Sequence, residues 1–257
     1  MNQHSKPDQS FDSIANKFEE NIYGTTKGKL RHDLLMYHML DVLSLDDNPL
    51  TVYDAGGGTG TMSKSLVDMG HKLIISDISS DALTLARKKF VQSDKIEFVH
   101  GDILSVENDQ SYDLVVCHAV LEWLKSPLEM IDSLVKLLKP GGHLSLSFFN
   151  KDAQRFGNLL YGNFDFVKAG MQVKNRVRLS PNNALDPRHV LDRLGNLPVT
   201  VIHKAGIRCF HDYLRDPNKQ VSHYQQLKEM ELTYGKQEPY LWLGKYFHII
   251  VQKQLKS

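Results

Sequence analysis

Leu50-Thr-Val-Tyr-Asp54-Ala-Gly-Gly-Gly-Thr-Gly60 is the stretch on which the fold turns. Its β-branched start reads as a short strand, the run stops at a glycine cluster, and residues 61–69 read as a helix: strand, tight loop, helix. Gly70 ends that helix, and Lys72-Leu-Ile-Ile-Ser76 is the apolar run expected of a strand buried on both faces, delivering Asp77 at its carboxyl end. Ser80 or Asp81 can cap a further helix through Lys89. Strands over 96–100 and 112–118 follow, each with a helix-like segment behind it. The second of these segments, 127–138, carries Leu128, Ile131, Leu134, Val135 and Leu138 at helical spacing before Lys139-Pro-Gly-Gly142 stops it, and 143–149 reads as a fifth strand. Strands alternating with helices in this way predict an α/β fold with an open, doubly wound parallel sheet.

Outward from that core the pattern loosens. Residues 11–18 and 30–43 should be helices, part of an N-terminal helical cap over 1–45 near or over the carboxyl edge of the sheet. After this core, 50–150, an insertion over 151–183 is rich in Gly, Asn, aromatics and Arg. A helix at 187–194, strands at 199–210 and 247–252 and a helix near 220–234 between them complete a single domain of 257 residues. No stretch is long and apolar enough to span a membrane, and the polar first 17 residues lack a secretory signal, so a cytoplasmic protein is expected. Cys117 and Cys209 stand alone, in neither a disulfide framework nor a zinc spacing; no metal is expected, and both should be buried thiols. The 31 Lys+Arg nearly balance the 30 Asp+Glu, but unevenly: residues 1–124 hold 11 basic and 19 acidic side chains, net −8, and residues 125–257 hold 20 and 11, net +9. A basic half invites a polyanionic partner, although a solvated basic face has the same composition.

In an open α/β sheet a ligand sits outside the carboxyl ends of the strands, where strand order reverses. The loop after the first strand supplies Asp-x-Gly-x-Gly-x-Gly, with main chain free to approach a ligand; by itself it is equally a tight turn. Asp77, 23 residues after Asp54, is placed to accept both hydroxyls of a ribose. The dinucleotide fingerprint Gly-x-Gly-x-x-Gly is not met, since its last position falls on Thr61 or Ser63. Asp54 would repel a pyrophosphate but suits the sulfonium and ammonium of S-adenosylmethionine. Asp102 suits the adenine amine, with Ile103 against the ring.

These residues and the Lys139-Pro-Gly-Gly142 turn resemble the class I S-adenosylmethionine-dependent methyltransferases, which implies a seven-stranded, Rossmann-like sheet whose last strand is antiparallel. A narrower resemblance runs over nearly the whole chain, to the tRNA 5-carboxymethoxyuridine methyltransferases. It is carried by Asn21-Ile-Tyr-Gly-Thr-Thr-Lys-Gly28 with Leu30-Arg31, by His118-Ala-Val-Leu-Glu-Trp123, Gly162-Asn-Phe-Asp165, Ala169-Gly-Met171, Leu179-Ser-Pro181, Phe210-His-Asp-Tyr-Leu-Arg215 and Gln237-Glu-Pro-Tyr240. One departure is the basic run before Leu179, where Lys174-Asn-Arg-Val-Arg178 holds three basic residues and the family resemblance leads one to expect more lysines. The resemblance implies S-adenosylmethionine as cofactor, contacted by Arg31, Gly56, Gly57, Asp77, Asp102, Ile103 and His118 beside Gly58 of the loop. It implies methyl esterification of a wobble uridine in a tRNA anticodon loop. By residue type alone, Arg31 reads as a surface helix arginine and His118 as a core histidine.

A carboxylate nucleophile is already ionised at pH 7 and needs no general base, so no catalytic residue is assigned; it needs cations and donors to hold it. Arg208, His211 and Tyr213, after a strand end, are candidates to receive it, with Tyr23 and Lys27 from the N-terminal side. Lys174, Arg176 and Arg178 are candidates for phosphate contacts, and the aromatics of the insertion for stacking on unpaired bases. Capping by Asp212 and core packing by Tyr213 account for the same residues structurally. Glu122 and Trp123 read as a structural hydrogen bond and as packing under the cofactor. The rival readings are a class I methyltransferase for a small carboxylic acid or other metabolite, which would need no basic half, a cofactor-binding module without turnover, and an NAD-dependent reductase. No obligatory protein partner is expected.

Overall fold

The computed structural model describes residues 25–91, 93–106, 111–171 and 184–255. β1 (Thr51–Ala55) lies at the centre of the sheet, with Val52, Tyr53, Asp54 and Ala55 all buried. Parallel neighbours flank it, β2 (Lys72–Asp77) on one side and β4 (Tyr112–His118) on the other. Strands covered on both faces have no polar side to alternate with, which is why Leu114-Val-Val-Cys117 is an unbroken apolar run. β3 (Ile96–His100) pairs outside β2, and β5 (Leu138–Phe149) outside β4. β7 (Tyr246–Lys253) then inserts antiparallel between β5 and β6 (Val199–Ile207), giving seven strands in the order β3-β2-β1-β4-β5-β7-β6. The order reverses between β1 and β4, and the crevice above their carboxyl ends is where a ligand fits.

Helices cover both faces. On one, α4 (Pro127–Lys136) and α7 (Pro187–Gly195) bury Ile131, Leu134 and Val190 against Tyr53, Val115, Leu144 and Phe247. On the other, α1 (Thr26–Val42) and α2 (Thr61–Asp68) place Met39 and Leu66, both fully buried, on Val52, Leu114 and Ile250. Each such side chain contributes roughly 1.5–3 kcal/mol of burial. α3 (Ser80–Lys88), capped by Ser79, sets Leu83 and Ala86 on Ile75. α1 is a layer of the sandwich: Leu30, Leu34 and Leu35 pack with Ile207 and with Leu227 of α9 (Tyr224–Tyr234). Only its first turns reach the carboxyl edge, where they bring Lys27 and Arg31.

Several boundaries differ from the sequence reading. β5 runs through Lys139-Pro-Gly-Gly142, absorbing the turn as an irregular register opposite Tyr112 and Leu114, and α4 stops at Lys136. β6 ends at Ile207 because Arg208 takes a left-handed backbone, φ 62°, which turns the chain out of the strand. The helix expected near 220–234 is split at His223 into α8 (Lys219–Ser222) and α9. The insertion opens with two helices, α5 (Lys151–Leu160) and α6 (Phe164–Lys168). Asn150 starts the first: its carbonyl oxygen accepts from Asp152 N–H at 2.9 Å, while its amide donates to the Trp242 and Gly244 carbonyls. The helix read at 11–18, Tyr23, and Lys174, Arg176 and Arg178 lie outside the described residues. Both cysteines are buried free thiols, and no helix among the described residues is long and apolar enough to cross a membrane.

Candidate active site

The glycine loop leaves β1 with left-handed backbone at Gly56, Gly58 and Gly60. At Gly57 the constraint is space: a Cβ there would stand 2.7 Å from the Asp54 carboxyl group and from the Ile75 side chain. The loop therefore closes down on β2, and Gly58 N–H donates to Asp77 Oδ2 at 2.9 Å. Ser79 N–H donates to Asp77 Oδ1 at 2.8 Å. Both oxygens of the carboxylate are thereby fixed in place at the end of β2.

Above the loop lies a cleft. Arg31, Gly56, Gly57, Gly58, Asp77, Asp102, Ile103 and His118, the eight residues read as cofactor contacts, all line it, together with Asp54 and the apolar side chains of Ile78, Val120, Leu124 and Met130. Arg31 arrives from α1, the loop and Asp77 from the ends of β1 and β2, Asp102 and Ile103 from the turn after β3, and His118 from the end of β4. Trp123 also lines the cleft, with its indole N–H on the Ala119 carbonyl at 3.1 Å.

Burial pushes Asp54 up to about 6, against the hydrogen bond from Ser63 Oγ at 2.5 Å, and the neighbouring Asp77 charge adds to the rise. A cation in the cleft would reverse that shift. His118 is held down at about 3 by burial and then by Arg31 and His32, so its imidazole is neutral. Its Nε2 is 2.8 Å from Ser145 Oγ, which is 2.9 Å from Nε2 of His248. His38 and His203 pack beside His248, with ring centroids 4.7–6.0 Å apart, so a file of four imidazoles leads from the cleft across α1 and the sheet. Glu122 is buried and held at about 7 by burial, opposed by backbone hydrogen bonds and by Arg31.

A cationic corner adjoins the cleft. The guanidinium groups of Arg31 and Arg208 both lie over the Tyr246 ring, 5.2 and 5.7 Å from its centroid. Arg208, nearly buried, donates from Nε and Nη2 to the two oxygens of Asp212 at 2.7 and 2.8 Å. Despite burial, Asp212 stays well below the usual carboxylate range because His211 and Arg208 face it. The corner is built by Glu231 of α9, whose carboxylate accepts the N–H groups of Cys209, Phe210 and His211 at 2.6, 2.9 and 2.9 Å. Of the remaining sequence candidates, Lys27 is exposed. His211 is wholly buried with Nε2 3.1 Å from Thr26 Oγ1, and Tyr213 directs its hydroxyl at the Ala153 and Leu243 carbonyls. These last two tie elements together, and neither faces the cleft. Sequence reading missed Glu231, Tyr246 and Lys245; the one signal for Lys245 was a lysine just ahead of an otherwise apolar last strand.

Residues 53–146 match a family model described as a methyltransferase domain. The tRNA 5-carboxymethoxyuridine methyltransferase of Escherichia coli K12 is 39% identical over 252 residues, covering 96% of this chain and 97% of that protein. The ubiquinone biosynthesis O-methyltransferase of Aliivibrio fischeri is 33% identical over 163 residues, 62% of this chain and 67% of that one. Among solved structures, the magnesium protoporphyrin IX methyltransferase of Synechocystis PCC 6803 superposes with a TM-score of 0.64 over 95% of this chain and 96% of its own, at 17% identity. That last likeness concerns the fold alone.

Proposed function

Because the chain belongs to the tRNA 5-carboxymethoxyuridine methyltransferase family, we propose that it methyl-esterifies the carboxylate of 5-carboxymethoxyuridine at the tRNA wobble position, giving 5-methoxycarbonylmethoxyuridine. It is an S-adenosylmethionine-dependent methyltransferase, and the residues of the cleft fit that cofactor. Asp77 would take the ribose hydroxyls, Asp102 the adenine amine with Ile103 against the ring, and Arg31 the methionine carboxylate. The glycine loop brings main chain against the ligand, with Asp54 facing its positive groups. When bound, the cofactor supplies a methyl carbon made electrophilic by the sulfonium.

The observation that carries the reading is the mismatch between cations and bases at the carboxyl edge. Arg31 and Lys245 stand over Tyr246 and Phe149, with Arg208 paired to Asp212 beside them, whereas His118, held at about 3 by burial, is too weak a base to take a proton from a hydroxyl or an amine, and its Nε2 is engaged by Ser145. Such a site favours a nucleophile that arrives as an anion. A carboxylate, pKa near ~4, has no proton to lose: an oxygen lone pair forms the O–CH3 bond while the S–C electrons remain on sulfur. The work left to the chain is alignment and exclusion of water, which in well-oriented reactions supplies roughly 7–11 kcal/mol of the barrier.

For the RNA, we assign the insertion at 151–183. Leu160, Tyr161 and Phe164, 60%, 82% and 57% exposed at the α5–α6 junction, offer surfaces on which unpaired anticodon bases stack. Lys168 is exposed beside them. The test is nucleoside mass spectrometry of tRNA from cells lacking the gene, before and after incubation with purified protein and S-adenosylmethionine. The ester should be missing at first and appear on incubation; tRNA unchanged by the incubation would remove the proposal and leave a methyltransferase for a small acid in its place.

A further inference from the structure

We propose that the Lys245 ammonium is the cation that takes the carboxylate of the substrate, and so sets the preference for an acid-bearing nucleotide; this rests on the esterification reading above. Arg208 is the more obvious clamp, but its fork is already closed on Asp212 through two short bonds, so the pair presents little net charge. Lys245 is differently placed. Its backbone is tied to the chain just past the ends of β5 and β6, the strands on either side of β7: its N–H donates to the Arg208 carbonyl and its carbonyl accepts from Asn150 N–H, both at 3.2 Å. Its Nζ lies 5.4 Å from the centroid of Phe149, the last residue of β5, and it makes no ion pair or hydrogen bond among the described residues.

A lysine stem at a surface ordinarily carries its ammonium out to water. Here the side chain is half-buried, and burial, with Arg208 and Lys27 nearby, lowers its pKa from 10.5 while Asp212 opposes the fall. No carboxylate among the described residues forms an ion pair with it, Asp212 being closed on Arg208, and an incoming carboxylate supplies one. Esterification then removes that charge, so the product loses the attraction that held the substrate. Binding and release follow from the same side chain.

The experiment compares two anticodon stem-loop RNAs, one with 5-carboxymethoxyuridine and one with 5-methoxyuridine, which has no carboxylate. Wild-type protein should bind the first more tightly and esterify it. Lys245→Met and Lys245→Gln should lower kcat/KM on it by about 10–100-fold and abolish the binding preference, with S-adenosylhomocysteine affinity unchanged. Lys245→Arg should retain most of both, which loss of packing would not predict. Should Lys245→Met fail to fold, the Gln and Arg pair decides alone. Wild-type preference and turnover in the neutral variants would overturn the assignment to Lys245. No ester from wild-type protein would overturn the esterification reading and the assignment with it.

Discussion

Replacing Asp77 by Asn should weaken cofactor binding far more than it weakens the fold. Asp77 is 9% exposed and spends one oxygen on Gly58 N–H and the other on Ser79 N–H. The amide has a single oxygen. It can keep one of those backbone donors, but its NH2 group then faces the other N–H, and the charge that would receive the ribose hydroxyls is gone. A hydrogen bond to a charged group is worth about 1.5–3 kcal/mol. With two hydroxyl contacts weakened and the loop bond at Gly58 compromised, a loss of about 2–4 kcal/mol is expected, a rise in Kd of roughly 30–1,000-fold. Calorimetric titration with S-adenosylmethionine and with S-adenosylhomocysteine should show similar losses for both, since both carry the ribose, while the melting temperature stays within a few degrees. A Kd within threefold of wild type in a folded variant would refute the placement of the ribose on Asp77.

Three further outcomes follow from the electrostatics and the corner. Asp54 stands at about 6, so its burial favours the native state below the unfolded value near 3.8 and the benefit is lost as pH rises through 6; a sulfonium prefers the ionised form. The ratio of S-adenosylmethionine to S-adenosylhomocysteine affinity should therefore fall as pH drops below about 6, and a ratio constant from pH 5 to 7.5 would place Asp54 away from the sulfur. His38 and His118 stand at about 3 in the native state against 6.5 unfolded, so the unfolded chain binds more protons below 6.5 and stability falls with pH from there toward 3. Two such groups cost up to ~3 kcal/mol per pH unit, and His38→Gln should flatten the slope of urea midpoint against pH, whereas parallel curves would show that His38 does not contribute. Glu231→Gln should free at least one of three backbone N–H groups, cost about 1–3 kcal/mol of stability and reduce turnover on tRNA, with cofactor affinity held near wild type; equal loss of cofactor binding would mean that the corner supports the whole cleft.

The sheet was legible because short runs rich in apolar and β-branched residues, such as Leu114-Val-Val-Cys117, alternate with helical patterns, and several of the turns between them carry a glycine or a capping residue. The lining of the cleft was legible for a related reason: Gly56, Gly58, Asp77 and Asp102 sit at fixed offsets from strand ends, so placing the strands brings them together at one edge. The cationic corner had no such offsets. Arg208 and Asp212 are four residues apart and their pairing could be guessed, but Glu231 reaches them from another helix and Lys245 from the last strand. The four imidazoles come from positions 38, 118, 203 and 248, and nothing in their spacing brings them together; the fold does. Helix α5 was missed because Gly157 and Asn158 interrupt its pattern, although Asn150 followed by Asp152 was a usable start signal.

The position of β7 sets an order of assembly. Strands β1 to β4, with Asp77 and the glycine loop, can pair as soon as the first 120 or so residues have left the ribosome, but β5 and β6 each keep an open edge until the last strand slides between them. Tyr246 opens that strand and Lys245 comes just before it. A chain that has not yet placed β7 would thus own most of the residues that line its cleft while lacking Tyr246, and would carry unpaired edges on β5 and β6 open to neighbouring chains. Closure of the sheet and arrival of Tyr246 beside Arg31 and Arg208 are therefore one event, the insertion of β7.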